Sequence, residues 1–180
     1  YTVTAEFRQR PGTRGQILPT AEFGLLVGGE AVLAPDGSTV SQHLFVHTSD
    51  HDPHPNAPPD THVVDVRGAI DVRGPTNRVS GGKQSLGSRR YPAAPAGERR
   101  WRVMEAEVGP DRVEFRWRDG PGSAPVVVAS LDRNRLASHA AFCRPYAPAA
   151  VREWAPRAPV GIYLLRAAVD VRNVVITPAP

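Results

Sequence analysis

The sequence predicts an all-β protein, built as a two-sheet antiparallel β-sandwich with at most one or two short helices near residues 131–155. Three observations predict this class. The chain has 180 residues, enough for one domain (1–180) with its own core, and 41% of them are hydrophobic. Its 19 prolines and 16 glycines interrupt the chain too often for a helical bundle. Many short segments alternate apolar and polar side chains, as half-buried strands do.

The first half of the chain contains five predicted strands. In segment 1–8, Val3, Ala5 and Phe7 alternate with polar residues, which predicts a strand with one buried face. The apolar run 23–27 ends at Gly28-Gly29 and predicts a strand buried on both faces. The remaining three are predicted at 43–48, 62–67 and 69–73, the last two as a bent strand or hairpin pair.

Two long loops are predicted between these strands and the second half. Residues 49–61 contain four prolines, too many for a sheet ladder. Residues 74–100 are polar, basic and rich in glycine and proline. Both segments are therefore expected to connect strands and to be available for contacts with other molecules.

The second half opens with a predicted hairpin, 101–108 and 112–118. Val113, Phe115 and Trp117 share one face of its second arm, which predicts that they are core residues. In the first arm, phase places Met104, Ala106 and Val108 in the core and leaves the glutamates between them towards solvent. Further strands are predicted at 126–129, 160–165 and 168–177, and a short helix is predicted from Pro148 to Trp154.

Charge and cysteine content exclude several classes. The net charge is +4, but lysine occurs only at Lys83 and the arginines are spread among acidic residues, which argues against a nucleic-acid partner. No run approaches the roughly 18 apolar residues of a membrane helix, so no membrane span is expected. Cys143 is the single cysteine, so no intrachain disulfide forms. It stands four residues after His139, and the favoured interpretation is a small buried apolar side chain.

The histidines suggest a metal site that the spacing does not establish. Five of the six lie between His43 and His62, interspersed with aspartates. His43 and His47 share a strand face but stand too far apart to hold one ion together. In the 50–62 loop the candidate ligands for Ca²⁺ or Zn²⁺ are Asp50, His51, Asp52 and His54. A polar loop without metal is favoured, and no cofactor is expected.

The candidate binding residues are aromatic and basic. Trp101 and Trp154 are the aromatic residues that strand phase explains least, and an indole ring can stack on a sugar or anchor an interface. The basic candidates, suited to an acidic partner surface, are Arg89, Arg90, Arg99 and Arg100.

Three parts of the chain resemble the laminin-G-like, or concanavalin A-like lectin and glucanase, jelly roll. They are segments 2–8 with 22–28, the hairpin of arms 101–108 and 112–118, and the ending 159–163 with 169–177. The resemblance implies a jelly-roll sandwich, a fold that hosts lectins, hydrolases and adhesion modules. Its glucanases carry Glu-x-Asp-x-Glu on one strand. That pattern is absent here, the nearest being Glu105-Ala-Glu107, so an enzyme is not the favoured expectation.

The expected function is therefore a non-catalytic recognition or scaffolding domain, an accessory subunit that binds another protein in a bacterial envelope or extracellular assembly. The alternatives are a carbohydrate-binding module, with a glycan as ligand, and a divergent glycoside hydrolase of the same fold. The chain starts at Tyr1 without methionine, so a leader or anchor is expected before it, and an extracytoplasmic location is expected with it.

Overall fold

The computed structural model describes residues 1–10, 22–48, 61–76, 79–92, 100–155 and 159–178. These residues form ten strands and one helix, and they confirm the predicted all-β class. The elements are β1 (Thr2–Gln9), β2 (Glu22–Leu33), β3 (Thr39–Thr48), β4 (Thr61–Arg73), β5 (Val79–Pro92), β6 (Arg102–Val108), β7 (Arg112–Arg118), β8 (Val126–Asp132), α1 (Arg133–Cys143), β9 (Val160–Leu165) and β10 (Val169–Thr177).

The strands form two five-stranded antiparallel sheets. The first sheet has the order β10-β1-β6-β7-β8 and the second has the order β5-β4-β3-β2-β9. One apolar core lies between them, because alternate side chains of each strand point into this layer. Its fully buried residues include Val3, Phe7, Phe23, Leu25, Leu44, Val46, Met104 and Phe115.

Helix α1 covers one end of the sandwich, where it contacts β8, β5 and β4. It begins after Asp132, whose carboxylate accepts a hydrogen bond from the Arg135 amide at 2.9 Å. Leu136, His139, Ala140 and Cys143 are buried, and their spacing of three and four residues places them on one face. The helix predicted from Pro148 to Trp154 is wrong, because residues 148–150 form a turn and 151–155 are irregular.

Two strands continue past the points where the sequence predicts an end. Gly28 and Gly29 have φ angles of 90° and 91°, which glycine adopts without strain, and they produce an irregularity in the β2–β3 register that does not end β2. The predicted strands 62–67 and 69–73 are one continuous strand, β4, because Gly68 between them is paired with a residue on each of the two neighbouring strands.

The predicted loop 74–100 is wrong for residues 79–92, which form β5 at the edge of the second sheet. Only Leu86 and Tyr91 of β5 are buried apolar residues, so the alternation that reveals other strands is almost missing here. The backbone hydrogen bonds to β4 hold the strand in place instead. Residues 93–99, and residues 49–60 of the other predicted loop, lie outside the described part of the chain.

Arg102 is a fully buried charged residue in the core layer. Its guanidinium forms an ion pair with Asp119 and lies over the rings of Tyr91 (5.3 Å) and Trp117 (5.4 Å). These partners come from β5, β7 and the turn after β7. Burial removes the hydration of the guanidinium, and the carboxylate and the two ring faces compensate for that loss. Because the partners come from both sheets, the Arg102 side chain links the two sheets.

Candidate functional site: an open apolar edge

The two predicted tryptophans are both engaged within the chain. The guanidinium groups of Arg8 and Arg172 lie over the Trp101 ring, 4.7 and 3.9 Å from its centre. Trp154 packs against the core and donates from Nε1 to the carbonyl oxygen of Gly109 at 3.2 Å. Stacking on a sugar needs an open ring face, and Trp101 already carries two cations over its ring.

The described basic candidates have different roles. Arg89 donates from Nε to the carbonyl oxygen of Val127 at 3.2 Å, which links β5 to β8. Arg100 pairs with Asp119 at 3.5 Å, on the same carboxylate that neutralises Arg102. Arg90 is exposed on β5. Arg99 lies outside the described residues, so its place in this group stays a prediction.

The candidate metal ligands Asp50, His51, Asp52 and His54 also lie outside the described residues. Within the described part of the chain, no three His, Cys, Asp or Glu side chains are grouped so that they could hold a metal ion. His43 and His47 are described, and they share the outer face of the second sheet, as strand phase predicts.

The glutamates of β6 form an ion-pair network. Their neighbours Met104, Ala106 and Val108 occupy the core as predicted. The prediction that both glutamates are solvated is wrong for Glu105, which is 9% exposed, because Arg116 and Arg118 cover it. Arg116 also binds Glu107, and its ion pairs with Glu105 and Glu107 both measure 2.6 Å. The hydrogen bonds to Glu105 and its neighbours raise the pKa of Arg116. One guanidinium therefore bridges the two carboxylates that the hydrolase interpretation would use.

Cys143 is a buried, protonated thiol. Its Sγ lies 3.6 Å from Nε2 of His139, at the predicted helical spacing. Burial raises the pKa of Cys143 to about 11 and lowers the pKa of His139 to about 4, the latter with help from His43. Both groups are therefore neutral near pH 7. This is the chemistry of a packed interior, since a nucleophilic cysteine needs a thiolate.

The outer face of the second sheet carries a compact aromatic cluster, which strand phase alone does not predict. Phe45 is fully buried there under Tyr163, whose ring stacks on it with centres 4.4 Å apart, and His47 lies beside it at 5.1 Å. Tyr163 donates to the Glu22 carboxylate at 3.0 Å. Burial, together with the charges of Arg67 and Lys83, lowers the pKa of His47 to about 3.

A group of exposed apolar side chains lies on β9 and β10, at the opposite edges of the two sheets from β8 and β5, which α1 contacts. It consists of aliphatic side chains on β9 and β10, each 37–56% exposed, and we name it the open edge: Ile162, Leu164, Val171, Val174, Val175 and Ile176. Each of these strands is the last in its sheet, so each has a single neighbouring strand among the described residues.

Part of the open edge belongs to the core face of the sheets. Ile162 stands opposite Leu25, and Ile176 stands opposite Val3, so each shares a face with a buried residue of the neighbouring strand. The side chains therefore point towards the layer between the sheets and remain exposed. The core layer is open to solvent at this end.

A continuous apolar run is the sequence signal at the open edge. Val174, Val175 and Ile176 form a continuous apolar run, which is typical of a strand covered on both faces. In the structure, β10 is instead the edge strand, with these residues exposed.

Comparisons of the chain with protein-family models, curated proteins and solved structures gave no match. No helix in the described part of the chain has the length and apolar character needed to cross a membrane. The functional argument therefore depends on the geometry of the described residues.

Proposed function

We propose that the protein is a non-catalytic recognition or scaffolding domain that binds another protein through the open edge of β9 and β10. The single observation behind this proposal is the group of exposed aliphatic side chains on two edge strands. Contiguous apolar surface of this kind marks interaction sites in proteins of this size. An unpaired strand edge also offers backbone N–H and C=O groups to an incoming strand.

The proposed mode of binding is addition of a strand from the partner. A partner segment next to β10 would form backbone hydrogen bonds, and alternate side chains would enter the open core layer beside Ile162 and Leu164. Affinity would then come from the burial of the aliphatic residues, at about 25 cal/mol per Å² of apolar surface before the costs of association.

A wider assignment is part of the same proposal. Within it, the sandwich is a jelly roll of the laminin-G-like or concanavalin A-like type, working outside the cytoplasm as an accessory subunit of a larger assembly. The observed two-sheet antiparallel architecture supports the fold part of this proposal. The engaged state of Trp101 favours a protein ligand over a glycan.

Photo-crosslinking in the native host tests the proposal. A benzoylphenylalanine replaces Ile176 in one variant and Val126 in the control, because Val126 is an exposed aliphatic residue of the edge strand β8 at the opposite end. We expect a discrete crosslinked protein from position 176 and none from position 126. Equal crosslinking from both positions, or none from position 176, would contradict the proposal.

A further inference from the structure

A cavity of about 200 Å³ lies between helix α1, the bulged part of β2 and residues 150–155. It is separate from the open edge. Val40 and Leu44 of β3 form its floor on the core face of the second sheet, and Leu136 of α1 forms a side wall. The remaining wall is the indole of Trp154, whose position is fixed by its hydrogen bond to Gly109.

The bulge and the 150–155 segment keep this space open. Gly28 and Gly29 belong to the lining and have no side chains to fill it. Gln42 accepts a hydrogen bond from the Arg152 amide at 3.3 Å, which ties the irregular segment to β3. Ala150 is buried and presents only a methyl group to the cavity.

The polar groups of the lining are mostly neutral. Burial lowers the pKa of His139 to about 4, so its imidazole is uncharged near pH 7. Gln42 and His139 supply hydrogen-bonding groups to the lining. Arg152 and Glu153 supply one charge of each sign, and both are exposed. The cavity therefore offers apolar walls with a few hydrogen-bonding groups and no net charge.

We infer that this cavity binds a small uncharged ring compound, apolar over most of its surface and carrying one hydrogen-bonding group, such as a phenol. A dry cavity of about 150 Å³ in another protein accommodates benzene, so the present volume suits a substituted ring. A carboxylate or ammonium group would lose its hydration against these apolar walls, and the two charged residues of the lining, Arg152 and Glu153, are both exposed to solvent.

Isothermal titration calorimetry with two probes that share the 4-methylphenyl ring tests the chemistry. The uncharged probe is 4-methylphenol, and its charged counterpart is 4-methylbenzoate. We expect 4-methylphenol to bind with a dissociation constant below about 1 mM, and 4-methylbenzoate to bind at least about tenfold more weakly. Absence of 4-methylphenol binding, or equal affinity for the two probes, would overturn the inference.

A matched pair of variants tests the location. Ala150→Leu adds three carbon atoms inside the cavity, and Ala149→Leu makes the same change at an exposed position outside the lining. We expect Ala150→Leu to weaken 4-methylphenol binding at least about tenfold, and Ala149→Leu to leave it unchanged. Equal binding by the two variants would contradict the location.

A measurement on the unmodified protein keeps the inference falsifiable if Ala150→Leu does not fold. Saturating 4-methylphenol should shift the NMR signals of the Trp154 indole N–H and the His139 ring protons. The Trp101 indole N–H, which is outside the lining, should keep its position. Shifts at Trp101 without shifts at Trp154 would rule out the cavity as the site.

Discussion

The two ends of the sandwich differ in how far their edge strands are covered. At the closed end, α1 covers β8 and β5, and arginine side chains connect the layers: Arg89 binds the Val127 carbonyl, and Arg135 binds the Leu86 carbonyl. At the open end, β9 and β10 expose aliphatic side chains, of which Ile162 and Ile176 point towards the core layer. Protein edge strands are normally protected by charge or by a covering element. The difference is the basis of our proposal that the open end binds a partner, whereas the closed end contributes to the stability of the fold.

The acid sensitivity of the closed end should be the largest effect. His139 is on the buried face of α1 and has a pKa of about 4, while an exposed histidine has its ordinary value of 6.5. The unfolded chain therefore binds a proton first as the pH falls. The contribution of His139 to the free energy of unfolding should be constant above about pH 6.5 and should fall by roughly 3 kcal/mol by pH 4.

Urea unfolding across this pH range checks the sign. His139→Gln should reduce the slope of the free energy of unfolding against pH by the amount that corresponds to about one proton. Part of the remaining slope is due to His47. An unchanged slope in His139→Gln would show that this histidine is not the group that titrates.

The ion pair of Arg102 should give the next largest effect. Asp119→Asn leaves the fully buried guanidinium without its carboxylate. We expect a loss of roughly 2–3 kcal/mol in the free energy of unfolding, reduced from the value for a fully buried pair because Asp119 is partly exposed.

Arg100→Met is the matched control, because Arg100 pairs with the same carboxylate from a more exposed position. Its cost should be below about 1 kcal/mol, as for other surface ion pairs. Equal losses for Arg100→Met and Asp119→Asn would contradict the special role of Arg102.

The contact of α1 with β4 should give an intermediate effect. A Cβ at Gly68 would overlap the His139 ring, so Gly68→Ala forces the His139 side chain, or the helix that carries it, to shift. We expect a loss of about 1–2 kcal/mol, within the usual range for overpacking. Gly122→Ala should be nearly neutral because open space surrounds that position. Thermal unfolding of both variants gives the comparison, and a neutral Gly68→Ala would show that α1 adjusts without cost.

The open edge should give the smallest effect on stability. Ile176→Lys should change the free energy of unfolding by less than about 0.5 kcal/mol, because the side chain is 56% exposed. Val3→Ala, at the buried position directly opposite on β1, should cost about 1–2 kcal/mol. Urea unfolding measures both variants. A large loss in Ile176→Lys would mean that the exposed side chain stabilises the fold and is not reserved for a partner.

The sequence predicts the strands well where one face is apolar and the other is polar. Val113, Phe115 and Trp117 are core residues as their phase indicates. The phase rule fails for β5, because its backbone pairing needs few apolar side chains. The phase rule also does not predict that Arg102 is buried, although this residue shares a strand face with Met104. A buried charge needs compensating groups, and Asp119 and Tyr91 come from other parts of the chain.

The exposure of the open edge could not be predicted from the alternation of side chains, for a different reason. Alternation shows which residues share a face of a strand, and Ile176 does share the face of the core. Whether another layer covers that face depends on the order of strands in both sheets, which is a long-range property. The same holds for the cavity, since Val40, Leu136 and Trp154 meet only through the tertiary fold.

Hydrogen exchange of the β10 backbone amides tests the central claim most directly, with the protein measured alone and with the partner captured by crosslinking. Strand addition predicts slower exchange along 169–177 in the complex, and unchanged exchange in β8 and α1. Protection confined to β8, β5 or α1, with β10 exchanging as in the free protein, would contradict the assignment of the open edge as the binding surface.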